Sequence, residues 1–290
     1  MSIRPRRSVL YMPGSNTRAL EKARTLAADC VIMDLEDSVA PDAKEQARDN
    51  VLRALERGGY GRRERVFRIN GHDTPWHAED LEAAARSGAD AVLLPKVSTA
   101  EQVGQAAESL ASHGAPSDLG LWVMAETAAG ILDMDTIAGS HPALQVIVMG
   151  NADLASELRI DPGPNREGLI GPMSHCVLSA RAHGLDILDG VSEDFSDMTA
   201  FRASCEQGRS LGFDGKTLIH PRQIDAANDV FGVSDQAIES ATAVCDAWQA
   251  AFDKGRGVAV LNGRMIEQLH AESAQRTLAL AEAIREMENG

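Results

Sequence analysis

The chain has 290 residues, enough for one large domain or two ordinary ones. Its 28 Lys and Arg against 43 Asp and Glu leave a net charge of −15, which excludes a general nucleic-acid binder, whose surface is basic. With 44% apolar and only 4% aromatic residues, the core is aliphatic and the composition is that of a folded globular protein.

The N-terminus is basic, but the apolar run 9–12 is too short for a signal sequence. No stretch approaches the ~18 apolar residues of a membrane span. Cys30, Cys176, Cys205 and Cys245 lie far apart, without metal or redox spacing, which points to a reducing compartment. These features predict a soluble, cytoplasmic protein with no membrane partner.

Short apolar runs recur at 8–12, 30–35, 65–70, 91–96, 121–126, 145–149, 185–188 and 215–219. Helical patterns lie between them, among them 18–28, 43–57, 77–87, 99–111 and 199–211. The spacing is that of β-α units. No G-x-G-x-x-G follows the first run, as a doubly wound nucleotide-binding sheet would favour. Eight units closing near residue 220 instead predict an α/β fold of the (β/α)8 TIM-barrel type over 1–233. Residues 234–290 are then a C-terminal helical extension, broken at 254–264.

In such a barrel the site is built from the C-terminal ends of the strands. Those ends carry Asp34-Leu35-Glu36-Asp37, Arg68 and Asn70, Pro95-Lys96, Glu126-Thr127, Gly150-Asn151-Ala152-Asp153 and His220-Pro221. Charges ending apolar strands are costly unless paired or bound to something. Two readings of the group stand side by side. In one, Glu126 and Asp153 are direct ligands of Mg2+, while Glu36 and Asp37 hold its waters. In the other, the same carboxylates are strand-end ion pairs with Arg68 and Lys96. Likewise, Gly150-Asn151-Ala152-Asp153 either offers free N–H groups to a carboxylate or simply caps a helix.

The blocks Arg7-Ser8-Val9-Leu10-Tyr11-Met12-Pro13-Gly14-Ser15-Asn16, Met33-Asp34-Leu35-Glu36-Asp37-Ser38-Val39, Arg68-Ile69-Asn70, Leu94-Pro95-Lys96-Val97, Glu126-Thr127-Ala128 and His220-Pro221 occur in this order along the chain. Together they resemble the citrate lyase β-subunit-like proteins of the HpcH/HpaI aldolase and malyl-CoA lyase superfamily. The resemblance implies a (β/α)8 barrel, Mg2+ bound by Glu126 and Asp153, and Arg68 contacting substrate. It also implies a homotrimer or homohexamer in which the C-terminal segment closes over a neighbour's site.

The activity so implied is that of a carbon–carbon lyase, which cleaves or forms the bond between a 2-oxo acid and an acyl-CoA enolate. Arg68 would stabilise the charge developing on oxygen. The backbone N–H groups at Gly150, Asn151, Ala152 and Asp153 would hold the 2-oxo acid carboxylate, and Glu36 and Asp37 would take part in water or proton handling. Arg7, Arg18 and Lys22, near the first strand and helix, offer a grip for the CoA phosphates. Glu267 occupies the position at which many relatives carry an Asp that exchanges a proton with the acyl α-carbon; alternatively it is a surface charge on a tail helix. The extra methylene displaces the carboxylate, which weighs against thioester hydrolysis and malate synthesis more than against the lyase step.

Alternatives are a metal-dependent, pyruvate-releasing aldolase acting on a CoA-free substrate, the citryl-carrier lyase subunit of a citrate lyase complex, and a non-catalytic CoA-binding module. Asp37 stands where the aldolase branch commonly has a His, which favours the CoA branch. Lys96 and Lys216 are candidate Schiff-base lysines. The surrounding carboxylates would keep such a lysine protonated, which favours the metal route.

Overall fold

In the computed structural model, which describes residues 3–289, all eight apolar runs form strands. They are β1 (Ser8–Pro13), β2 (Cys30–Asp34), β3 (Glu64–Arg68), β4 (Ala91–Leu94), β5 (Gly120–Ala125), β6 (Leu144–Met149), β7 (Asp186–Asp189) and β8 (Gly215–Leu218). Each pairs in parallel with the next, and β8 returns to β1 through Ser8↔Lys216 and Val9↔Thr217, closing the barrel. Helices alternate with the strands, as the (β/α)8 expectation requires. No described helix is long and apolar enough to cross a membrane.

The barrel interior follows from the two-residue period of a strand. Val9, Cys30, Ile32, Val66, Leu93, Trp122, Met124, Val146, Val148 and Leu188 form one buried cluster, with Tyr11 packed against it. Continuing the same alternation toward the C-terminal ends reaches Asp34 after Ile32, Arg68 after Val66, Glu126 after Met124 and Gly150 after Val148. Asp34 and Arg68 are register partners across β2 and β3. The apolar stack therefore ends in a layer of charge.

The opposite end is closed by a different set of ions. Arg6 chelates Glu64 (2.7 and 2.8 Å), reaches Asp186 at 2.6 Å, and lies over the Trp122 ring at 5.2 Å. Residues at the N-terminal ends of barrel strands serve stability rather than chemistry. Arg6→Ala should therefore cost about 3–5 kcal/mol of stability, the usual penalty for breaking a buried pair, with kcat unchanged. Denaturant melts and turnover measured together check this; lost turnover at full stability would contradict it.

One helix differs from expectation. The first helix is Thr17–Ala23, ending short of residue 28. Beyond it the carbonyls of Leu26 and Ala27 accept from Arg63 and Asn228 side chains instead of from the helix. The chain also divides into two compact units between Val230 and Phe231. The first, Arg6–Val230, is the barrel. Among the described residues, the second comprises 231–289 with 3–5. Within it, helices Asp235–Phe252 and Gln268–Glu288 are joined through an antiparallel hairpin, Ala259–Leu261 with Arg264–Ile266. Asn262 and Gly263 make its two-residue turn, both with positive φ (49° and 75°), as the twist of a tight hairpin demands.

Candidate active site

Five strand ends, those of β2 to β6, bring Glu36, Arg68, Lys96, Glu126 and Asp153 into one ion-pair network. Arg68 is the best-determined member. Its Nε and Nη2 donate to the two oxygens of Asp34 at 2.6 and 2.8 Å, and its guanidinium lies over the Tyr11 ring at 4.8 Å. The remaining Nη1 faces Glu36 at 2.8 Å and Asp37 at 3.7 Å. Asp34 also accepts from the Glu36 N–H at 2.8 Å and from the Ser38 hydroxyl. Burial pushes the Asp34 carboxyl up, but the Arg68 charge and these hydrogen bonds together hold it below the usual range. Arg68 is thus fixed on one edge and one face, and its third nitrogen is shared between Glu36 and the Met124 sulfur at 3.4 Å.

Glu36 stands in the opposite electrostatic situation. Burial, assisted by the charges of Asp37 and Glu126, raises its carboxyl to about 8 against the pull of Arg68. Asp37 beside it has a side chain 59% exposed and is the open member of the pair.

Lys96 follows β4 with a left-handed backbone (φ 54°), an uncommon conformation for a residue with a side chain. Its N–H donates to Glu126 Oε1 at 2.7 Å. Its Nζ lies 2.5 Å from Asp153, 3.8 Å from Glu126 and 3.9 Å from Glu36. Burial lowers the ammonium, but the carboxylates outweigh it and hold it above its ordinary value. The closest of its three carboxylate partners is Asp153.

Glu126 is buried, and burial raises its carboxyl despite Lys96. Its Oε2 is buried without any donor, whereas buried polar atoms are normally satisfied. Gly150 makes room for it, since a Cβ there would land on the Glu126 side chain. Asp153 lies in the first turn of helix Asn151–Leu158, whose N-terminus has no side-chain cap. An oxygen-only donor pair with one unsatisfied buried oxygen fits a hard cation, and Mg2+ characteristically uses just one or two protein carboxylates. Among the described residues no cage of three or more candidate ligands is preformed.

Asn151 is also at this end. Its Nδ2 donates to Asp189 at 3.2 Å, while its Oδ1 is buried without a partner. Asp189 in turn takes Arg166 and Lys216 (2.6 and 2.7 Å) and faces the helix Met198–Leu211, where Gly208 leaves it space. Lys216 is fully buried in this pair; burial lowers its ammonium against Asp189. Neither lysine is an accessible free amine. Incubation with pyruvate and borohydride should add no mass to Lys96 or Lys216 and leave activity intact; a stable adduct with loss of activity would establish imine chemistry.

Other predicted residues are not brought into the network. Arg7 precedes β1 and therefore lies at the stability end of the barrel, buried and chelated by Asp29 at 2.9 Å through two nitrogens. The CoA contact assigned to Arg7 is corrected accordingly. Arg18 and Lys22 are exposed on helix Thr17–Ala23, which follows the C-terminal end of β1. Glu267 belongs to the C-terminal unit, where it N-caps helix Gln268–Glu288 in a capping box with His270. There it lines a cleft of about 810 Å³ with Trp248, Phe252, Arg256 and Leu269. Residues missed by the sequence reading are Tyr11, which the alternation along β1 places inward, and Lys44, considered below.

Residues 7–221 match the HpcH/HpaI aldolase/citrate lyase family. Over 280 residues the chain is 50% identical to a (3S)-malyl-CoA thioesterase of Cereibacter sphaeroides, covering 97% of this chain and 96% of that one. An L-malyl-CoA/beta-methylmalyl-CoA lyase of the same organism is 34% identical over 310 residues, with the same coverage of 97% and 96%. Among solved structures, protein CitE from Mycobacterium tuberculosis in complex with magnesium, acetoacetate and coenzyme A superposes with a TM-score of 0.77 at 27% identity, covering 97% of this chain and 100% of that chain.

Proposed function

Because the chain belongs to the HpcH/HpaI aldolase/citrate lyase family, we propose that it is a Mg2+-dependent enzyme that hydrolyses a malyl-type CoA thioester to the free hydroxy acid and CoA. The observation that carries this reading is the 50% identity, across 97% of the chain, to a thioesterase acting on (3S)-malyl-CoA. That identity outweighs the argument against hydrolysis drawn from the extra methylene of Glu267.

In this reading water adds to the thioester carbonyl, the C–S bond breaks, and the sulfur leaves with a proton. Arg68 presents its Nη1 edge to the oxygen on which charge develops. It is held there by Asp34 and Tyr11, so little reorganisation is needed during the reaction. The exposed Asp37 accepts the water's proton, and Glu36, whose carboxyl burial raises to about 8, shares in its transfer to the leaving sulfur. The uncapped N–H groups at Asn151, Ala152 and Asp153 bind the substrate's terminal carboxylate. Glu126 and Asp153 would hold Mg2+, which when bound polarises substrate oxygens and neutralises their charge. Lys96 orients both carboxylates, Glu126 through its N–H and Asp153 through its ammonium.

A second reading is favoured by the 34% identity to a malyl-CoA lyase. There the substrate hydroxyl gives up its proton, the C2–C3 bond breaks, the 2-oxo acid leaves, and the electron pair remains on the acyl-CoA α-carbon until it is protonated. A panel of acyl-CoA thioesters assayed with and without Mg2+ tests the proposal. Hydroxy-acid thioesters should release free thiol only with Mg2+, and simple acyl-CoAs should release none. Thiol release from all acyl-CoAs alike, or unaffected by chelator, would contradict it.

A further inference from the structure

Lys44 opens helix Lys44–Arg57, directly after the turn Pro41–Ala43. This is a poor place for a cation, because the positive end of the helix dipole opposes it. It is also buried, with only 7% exposure, and burial holds its ammonium below the usual lysine range although Asp34, Glu36, Asp37 and Asp80 oppose this. A residue that breaks two local rules at once marks a place where something other than stability is served.

What the ammonium touches is specific. It donates to the carbonyl of Leu35 and to the carbonyl of Glu36, each at 2.8 Å, and lies over the Trp76 ring at 5.4 Å. These carbonyls belong to the two residues that follow β2. The Leu35 N–H still extends the sheet by donating to Arg68 at 3.0 Å. Its carbonyl, and that of Glu36, turn out of the ladder and depend on other donors. The Glu36 carbonyl has one from Val39 at 3.0 Å, and Lys44 supplies the rest.

We propose that Lys44 is a positioning residue: by clamping both carbonyls it sets the turn that holds the Glu36 carboxylate against Arg68 and Lys96. The inference rests on the reading that Glu36 belongs to the active site. Lys44 itself does not touch substrate; it acts through the backbone it holds. Small displacements of a reacting group are enough to lower turnover by about a hundredfold.

K44M keeps the aliphatic stem and removes the donors, while K44R restores charge and donors. K44M should lower kcat by about tenfold to a hundredfold with KM within about twofold, and K44R should recover most of the loss. Amide hydrogen exchange over residues 35–39 should accelerate in K44M while the other barrel strands keep their protection. Where K44M does not fold, K44L, which likewise lacks donors, carries the same expectations. Wild-type kcat in the variant, a loss that K44R does not recover, or unchanged exchange over 35–39 would each overturn the proposal. If the wild-type protein turns over no thioester, the proposed function fails, and the exchange measurement then decides the role of Lys44 by itself.

Discussion

Glu126→Ala and Asp153→Ala should each lower Mg2+-dependent turnover by more than about 10³-fold while the barrel still folds. A metal acting on substrate oxygen supplies several kcal/mol of charge stabilisation, and each 1.36 kcal/mol is a factor of ten in rate. Glu126 is the more sensitive of the two. It is buried, and its Oε2 has no other partner, so nothing nearby can replace it. Asp153 is 42% exposed, and water can take part of its place. Mg2+ affinity measured by titration calorimetry should fall in both variants in step with kcat. Full turnover in both variants, or in excess chelator, would remove the metal from the account.

Arg68→Lys should lower kcat by about 10²–10³, the usual cost of losing a donor that stabilises developing negative charge, with KM little changed. The reason lies in the geometry of the fork. Arg68 spends two nitrogens on Asp34 and keeps a third toward Glu36 and the barrel mouth. A lysine ammonium is a single point that cannot serve both sides. It would also surrender the planar contact with Tyr11. Steady-state kinetics separate the outcomes: a variant whose only defect is a raised KM would make Arg68 a ground-state binding residue instead.

Much of this was legible in the sequence, for a physical reason. In β2, β3, β5 and β6 an apolar alternation of period two runs on to Asp34, Arg68, Glu126 or Gly150 at the next inward step, so the barrel lining and the charged layer are written in one pattern. The hairpin within 254–264 has an equally local cause, since Asn262-Gly263 is the ordinary signature of such a turn. Arg7 shows the opposite case. Grouping it with Arg18 and Lys22 by sequence distance ignored that a residue before a strand and one after it lie at opposite ends of the barrel. The rest depends on contacts between distant segments. That Lys44 would bond the carbonyls of Leu35 and Glu36, or that Asp189 would join Arg166 and Lys216, follows from how helices pack on the barrel wall, which no local pattern encodes.

Hydrolysis at this barrel mouth is tested most directly by incubating the wild-type enzyme with malyl-CoA and Mg2+ in ¹⁸O-labelled water. Thiol, 2-oxo acid and acetyl-CoA are then quantified in the same sample. The account predicts one free thiol per malate, with a single ¹⁸O in the carboxylate derived from the thioester, and no 2-oxo acid. Glyoxylate appearing in equal amount with acetyl-CoA, without free thiol or label in malate, would contradict it and establish carbon–carbon cleavage as the reaction.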